Sequence, residues 1–299
     1  KIVCYLGSWA NYRRDDGKFL IEDIDPKLCT HLVYGFAKLN HNNKIAAYDP
    51  YLAYERFTGL KKKNPNLKTL LAIGGWNEGS TKYSRMAKNA SSRKTFIDSC
   101  VEFLQKYGFD GLDLDWEYPA TRGGISEDRK NFVLLLKVFL IFFQEIKEAF
   151  SSRNLMLTAA VSAGQNTIDQ AYDILALGKY LDLINLMAYD FHGGWDKVTG
   201  HNSPLYDRPE EEGSEKTLNI DYAVKYWLRK GAPAEKLILG MPLYGRSFAL
   251  KDTKENGLGA PVTGKGMAGE YTREQGFLGY NEVRVMKENL NYSLNKLSL

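Results

Sequence analysis

The chain has 299 residues, 44% of them hydrophobic and 25% charged, with a formal net charge of +4. That length is generous for one ordinary domain but fits an α/β barrel, which takes about 250 residues. Lys and Arg are spread along the sequence and no apolar run is long enough for a membrane helix, so neither nucleic acid nor a membrane is an expected partner. The one tight basic cluster, Lys61-Lys62-Lys63, reads as an exposed helix end. Three cysteines, Cys4, Cys29 and Cys100, allow one disulfide and one thiol, and their count leaves the compartment open. The opening Lys1-Ile2-Val3-Cys4 reads as the inside of a strand, as expected of a mature or trimmed N terminus with no signal peptide visible.

In chain order, apolar β-rich runs predict strands over 2–5, 31–37, 69–73, 109–115, 155–161, 181–189 and 237–244. Helical periodicity predicts helices between them, such as 92–107, 130–150 and 221–230. Strand alternating with helix argues for a parallel sheet and, at this length, for a TIM-type (β/α)8 barrel. No low-complexity tract or linker divides the chain, so 1–299 reads as a single barrel domain.

In such barrels the chemistry lies at the C-terminal ends of the strands. The third predicted strand ends in Gly74-Gly75-Trp76-Asn77, the sixth in Met187-Ala188-Tyr189-Asp190 and the seventh in Pro242-Leu243-Tyr244-Gly245-Arg246. Each taken alone reads equally well as a turn, a core aromatic or a surface charge. Their matching positions favour a site.

The fourth strand carries the strongest signal, YGFDGLDLDWEYP over residues 107–119. Asp113, Asp115 and Glu117 are spaced two apart and interleaved with Leu112, Leu114 and Trp116, so in a strand the three acids share one face. Stability alone disfavours that crowding, because like charges and burial both raise carboxyl pKa values. It suits chemistry that needs one acid protonated near neutral pH beside others that stay ionised. Calcium or magnesium could also hold acids together, but regular alternation describes a strand and not a wrapping loop. The four histidines are too dispersed for a zinc site, so no metal is expected.

These motifs resemble the family 18 glycoside hydrolases, the chitinases, and above all those of arthropods and mammals. The resemblance runs from Lys1 to about Tyr280 and includes Thr30-His31-Leu32-Val33-Tyr34-Gly35-Phe36, Leu71-Ala72-Ile73-Gly74-Gly75-Trp76, DGLDLDWEYP and Asn185 to Gly193. It continues through Gly200-His201-Asn202-Ser203-Pro204-Leu205 and Gly240 to Phe248. It implies a retaining, substrate-assisted hydrolysis of β-1,4-linked N-acetylglucosamine polymers. Glu117 would be the general acid and base, Asp115 the partner of the substrate acetamido group, Asp113 the acid beneath it and Tyr189 the hydroxyl that orients that group. Gly74, Gly75, Asn77, Tyr118, Met187, Asp190, Tyr244 and Arg246 would line sugar subsites, with Trp9, Trp76 and Trp195 as aromatic platforms. The resemblance also implies a Cys4–Cys29 disulfide with Cys100 free, and hence secretion. It implies chitin and chito-oligosaccharides as partners, no cofactor, and a monomer. Asn89-Ala90-Ser91 and Asn291-Tyr292-Ser293 would then be glycosylation acceptors.

Two departures from the family pattern stand out. Residues 138–144, Val-Phe-Leu-Ile-Phe-Phe-Gln, are an apolar excess of two helical turns, sticky if exposed. After Arg246 the chain enters an α+β insertion, partial over about 250–299, and neither an eighth strand nor its expected Trp is found before Leu299. A seven-stranded barrel has two unpaired edges. The alternative readings are therefore a catalytically impaired chitin-binding, lectin-like protein or an inactive truncated chitinase. A glycosidase of N-glycan cores shares the acidic signature but not the motifs around Tyr189 and Tyr244.

Overall fold

A run such as Leu70-Leu71-Ala72-Ile73 has no polar face, so it is stable as a strand only when both sides are covered. The computed structural model describes residues 1–48, 53–150 and 155–286, without the side chains of 146–150. In chain order its first eight strands are β1 (Val3–Gly7), β2 (His31–Leu39), β3 (Ile45–Ala46), β4 (Lys68–Gly74), β5 (Gly111–Asp115), β6 (Met156–Ser162), β7 (Leu183–Met187) and β8 (Leu237–Leu239). The helices are α1 (Tyr54–Thr58), α2 (Thr81–Lys88), α3 (Ala90–Tyr107), α4 (Asp128–Phe150), α5 (Gln165–Ala171), α6 (Ile174–Tyr180) and α7 (Ile220–Arg229).

The chain divides into two compact units, the first formed by Lys1–Ser8, Leu20–Met187 and Val224–Leu239. It holds the whole parallel sheet, ordered β1-β2-β4-β5-β6-β7-β8, with β3 antiparallel on the end of β2. This is a TIM-barrel-like architecture, and the sheet has seven parallel strands among the described residues. β5 is the middle strand of that path. Its register puts Gly74 opposite Asp115 on one side and Thr158 opposite Asp113 on the other.

Helices and aromatic side chains close the outer layer. Tyr34 of β2 meets Tyr54 and Phe57 of α1 edge-on at 5.0 and 5.3 Å. Trp227 of α7 is fully buried, and its indole N–H donates to the Ser162 carbonyl at 3.1 Å. The apolar excess in α4 is partly absorbed. Phe139 and Phe143, four apart and so on one helix face, are buried, and Phe139 packs edge-on against Phe96 of α3 at 5.7 Å. Lys94 caps the Phe142 ring at 5.2 Å, while Ile141 stays 45% exposed. No helix among the described residues is long and apolar enough to cross a membrane.

The second unit comprises Trp9–Phe19, Ala188–Ala223 and the chain from Gly240 onward. Here β9 (Tyr244–Arg246) pairs antiparallel with β12 (Phe277–Gly279), and β10 (Phe248–Leu250) with β11 (Val262–Lys265). The buried Glu282 carboxylate accepts from the backbone N–H groups of Tyr271, Thr272 and Gly279, which fixes the turn between these strands.

Two expectations are corrected. The strand expected over 237–244 is two elements, because Gly240 and Pro242 interrupt it and proline has no N–H for a ladder. The Lys61–Lys63 cluster is not merely an exposed end: Lys61 is drawn in to the Asp110 carboxylate at 2.8 Å. The tail 289–296 and the Asn291 acceptor lie outside the described residues, whereas Asn89 is exposed between α2 and α3.

Candidate active site

Alternation along β5 sends Leu112, Leu114 and Trp116 one way and the acids the other. Asp113 is 0%, Asp115 6% and Glu117 8% exposed, so all three carboxyls are buried. Asp113 is held by three donors. Tyr5 Oη of β1 donates to Oδ2 at 3.0 Å, Asn185 Nδ2 of β7 to Oδ1 at 3.1 Å, and the Thr158 hydroxyl of β6 also donates to Oδ1. Asn185 Nδ2 further donates to Tyr5 Oη at 2.8 Å, closing the network. Burial still pushes the Asp113 carboxyl above its usual value, the three hydrogen bonds opposing it.

Asp115 has less support. Its Oδ1 is buried with no hydrogen-bond partner among the described residues. Burial first, then the charges of Glu117 and Asp113, holds its carboxyl well above the usual carboxylate range. Its backbone is fixed instead: the Asp115 carbonyl accepts from Gly75 N–H at 2.9 Å. That approach explains the glycine pair. At Gly74, φ is 119° and a Cβ would strike the Asp115 carbonyl; at Gly75, φ is 84° and a Cβ would crowd the Phe36 ring.

Trp116 belongs to the packing, not to the acids. It is buried against Phe132 at 5.7 Å and its indole N–H donates to Ser80 Oγ at 2.6 Å. Ser80 Oγ in turn donates to the Tyr118 carbonyl at 2.8 Å, so one hydroxyl ties down both sides of Glu117. Tyr118 is partly buried, and burial followed by the charge of Glu117 pushes its phenol well up. Trp76 is 59% exposed and Asn77 is exposed beside it. Met187 ends β7 half-buried.

Asp110, at the other end of this stretch, has a different setting. Its carboxylate accepts from Lys61 Nζ, from Thr69 N at 2.8 Å and from Thr69 Oγ1 at 3.0 Å.

The second unit carries the remaining predicted residues. Arg246 donates through Nε to Asp190 Oδ1 at 2.7 Å, and its guanidinium lies 5.0 Å from the Trp195 ring. Tyr189 and Tyr244 meet edge-on at 5.9 Å, and Tyr244 stacks on Phe277 at 4.6 Å. Burial, then the neighbouring Asp190 carboxylate, raises the Tyr244 phenol. Asn202 braces this cluster: Asp190 N–H donates to its Oδ1 at 3.0 Å and its Nδ2 donates to the Tyr244 carbonyl at 3.2 Å. Trp9, in a 3-10 turn over Ser8–Tyr12, and Trp195 are both more than half exposed.

Tyr5, Thr158, Asn185, Ser80 and Asn202 are residues to which the sequence assigned no role, although Asn185 and Asn202 lie within the motifs quoted above. For the first three, the available signal was a polar side chain at an inward position of an apolar strand. Cys4 and Cys29 form a disulfide with Cα atoms 6.2 Å apart, and Cys100 is buried and free. Among the described residues no group of three His, Cys, Asp or Glu is placed to hold a metal ion.

Comparison with known proteins gives these geometries a context. The profile of glycosyl hydrolases family 18 matches residues 1–298. Mouse chitotriosidase-1 is 47% identical over 289 residues, which are 96% of this chain and 62% of that protein, so the chain spans under two thirds of this relative. The crystal structure of Ostrinia furnacalis group IV chitinase is 45% identical and superposes with a TM-score of 0.91 over 97% of this chain and 79% of that one. Human YKL-39, described as a pseudo-chitinase with retained chitooligosaccharide binding, is 43% identical with a TM-score of 0.89, over 95% of this chain and 77% of its own.

Proposed function

The chain belongs to glycosyl hydrolase family 18, and from that premise we propose that it is a secreted, monomeric chitinase that cleaves β-1,4 linkages between N-acetylglucosamine units with retention of configuration. The observation that carries this reading is the buried ladder of Asp113, Asp115 and Glu117, with the Asp115 carboxyl raised and its Oδ1 unpartnered among the described residues. Protonation of the glycosidic oxygen and stabilisation of an oxocarbenium-like centre are the two needs of the reaction. Glu117 gives its proton to the leaving oxygen while the substrate acetamido oxygen attacks the anomeric carbon. The C–O bond breaks and an oxazolinium ring forms. Asp115 accepts the acetamido N–H and balances the positive charge on that ring, and Tyr189 orients the acetamido carbonyl. Glu117, now a carboxylate, takes a proton from the water that opens the ring. Asp113 stays beneath as a fixed negative neighbour. The exposed rings of Trp9, Trp76 and Trp195 supply flat apolar faces for sugar C–H surfaces, and Tyr244, Arg246 and Asp190 contribute polar subsite contacts. None of these steps calls on a metal or organic cofactor.

The test is hydrolysis of a fluorogenic chitotrioside by the purified chain beside Glu117→Gln. Release by the wild type with loss in the variant supports the proposal, and equal release by both overturns the role of Glu117. A second reading, chitooligosaccharide binding without turnover, draws on the likeness to YKL-39 and on a sheet of seven strands among the described residues. Binding by a folded wild type that releases nothing would favour it.

A further inference from the structure

Arg122 stands outside the acidic signature, and no step of the reaction proposed above uses it. It is exposed, in the turn after β5, with φ at 50°. Its guanidinium makes three contacts. Nη1 donates to the Glu117 carbonyl at 3.0 Å, Nη2 donates to the Trp76 carbonyl at 3.0 Å, and the guanidinium carbon lies 3.5 Å from the centroid of the Trp76 ring. At that separation the planar cation stacks flat on the indole. One side chain thus joins two loops, the one after β4 that carries Trp76 and the one after β5 that carries Glu117.

A tryptophan 59% exposed on a loop has rotamer freedom to lose when a ligand stacks on it. A guanidinium on one face, anchored by two hydrogen bonds to backbone, removes that freedom beforehand and leaves the opposite face for a ligand. We infer that Arg122 is a positioning residue that preorganises Trp76 as a sugar platform and locks this platform in register with the Glu117 loop. The inference rests on the chitinase reading for the identity of the ligand, N-acetylglucosamine units of a chain long enough to reach Trp76. Lysine would keep a positive charge over the ring but has no fork to bridge two carbonyls.

The test compares wild type, Arg122→Gln, Arg122→Lys, Trp76→Ala and the double variant Arg122→Gln/Trp76→Ala, on chitohexaose and on a chitotrioside. Arg122→Gln raises KM for the six-sugar chain about three- to tenfold, the scale of ordering one side chain on binding, and raises it less for the three-sugar chain. The double variant is no worse than Trp76→Ala, because Arg122 acts through that ring. An equal rise at both lengths, or losses that multiply in the double variant, would overturn the inference. A second arm needs no turnover: acrylamide quenching of the Trp76 emission, obtained by difference against Trp76→Phe. That emission becomes more accessible in Arg122→Gln and intermediate in Arg122→Lys, and unchanged quenching refutes the positioning role. If the wild type hydrolyses neither substrate, the chitinase reading fails while the quenching arm still decides on Arg122.

Discussion

Asp110 and Asp115 stand five residues apart at the two ends of one strand-forming stretch, and both are buried. Asp110 has a cation at 2.8 Å and two donors from Thr69. Asp115 has two like-charged neighbours, and its Oδ1 has no donor among the described residues. At the first end the surroundings complete the charge. At the second they leave it poised for something that arrives from outside. That is the contrast expected between a carboxylate kept for the fold and one kept for chemistry.

Substitution at the two ends should therefore have opposite consequences. The largest effect is expected from Asp115→Asn, which should lower kcat on a chitotrioside by about 10²-fold or more while raising the denaturation midpoint in urea. A fall in both, or unchanged turnover, would break the comparison. Next comes Asp110→Ala, which takes the carboxylate from Lys61 and leaves it the Gly108 carbonyl at 2.7 Å. Breaking a buried pair costs about 3–5 kcal/mol; with the Lys61 side chain 20% exposed, water offsets part of this, and about 2 kcal/mol is expected. Turnover per folded molecule should stay at the wild-type level, and a specific loss of kcat would put Asp110 in the reaction.

A pH series sharpens the same contrast. Because the folded Asp115 carboxyl is raised above the ordinary value of 3.8, its favourable contribution is complete below that value and is lost as pH rises through the folded one. The stability gain of Asp115→Asn over wild type should be negligible near pH 3.8 and grow toward neutrality, which paired chemical denaturation curves would reveal. A gain that shrinks with rising pH contradicts the assigned direction. The smallest effect is expected at Ile141 on α4. Ile141→Lys should change stability by less than about 0.5 kcal/mol in paired urea curves; a large destabilisation would mean that this side chain is covered.

The strands of the sheet were legible because parallel strands buried on both faces read as continuous apolar runs, and β4 and β6 show this plainly. The crowding of Asp113, Asp115 and Glu117 was legible because period two is a local property of a strand. The partners of Asp113 were not. Tyr5, Thr158 and Asn185 lie 108, 45 and 72 residues away in sequence, and only the folded sheet brings them to one carboxylate. Arg122 was missed for another reason: a left-handed turn places its side chain, and no periodicity marks such a turn. The apolar excess in α4 was visible as composition, but its division into buried Phe139 and exposed Ile141 depends on which neighbours the helix meets.

β5 lies three strands from either end of the sheet path, and among the described residues β1 and β8 have no partner on their outer sides. Sheets fray from their borders, because a border strand opens by breaking one ladder where an inner strand must break two. Amide exchange should accordingly be fastest on β1 and β8 and slowest on β5. The strand that carries Asp113 and Asp115 is thus the last part of the sheet to open, and breathing at the β1 margin reaches it first through the Tyr5 hydroxyl that donates to Asp113.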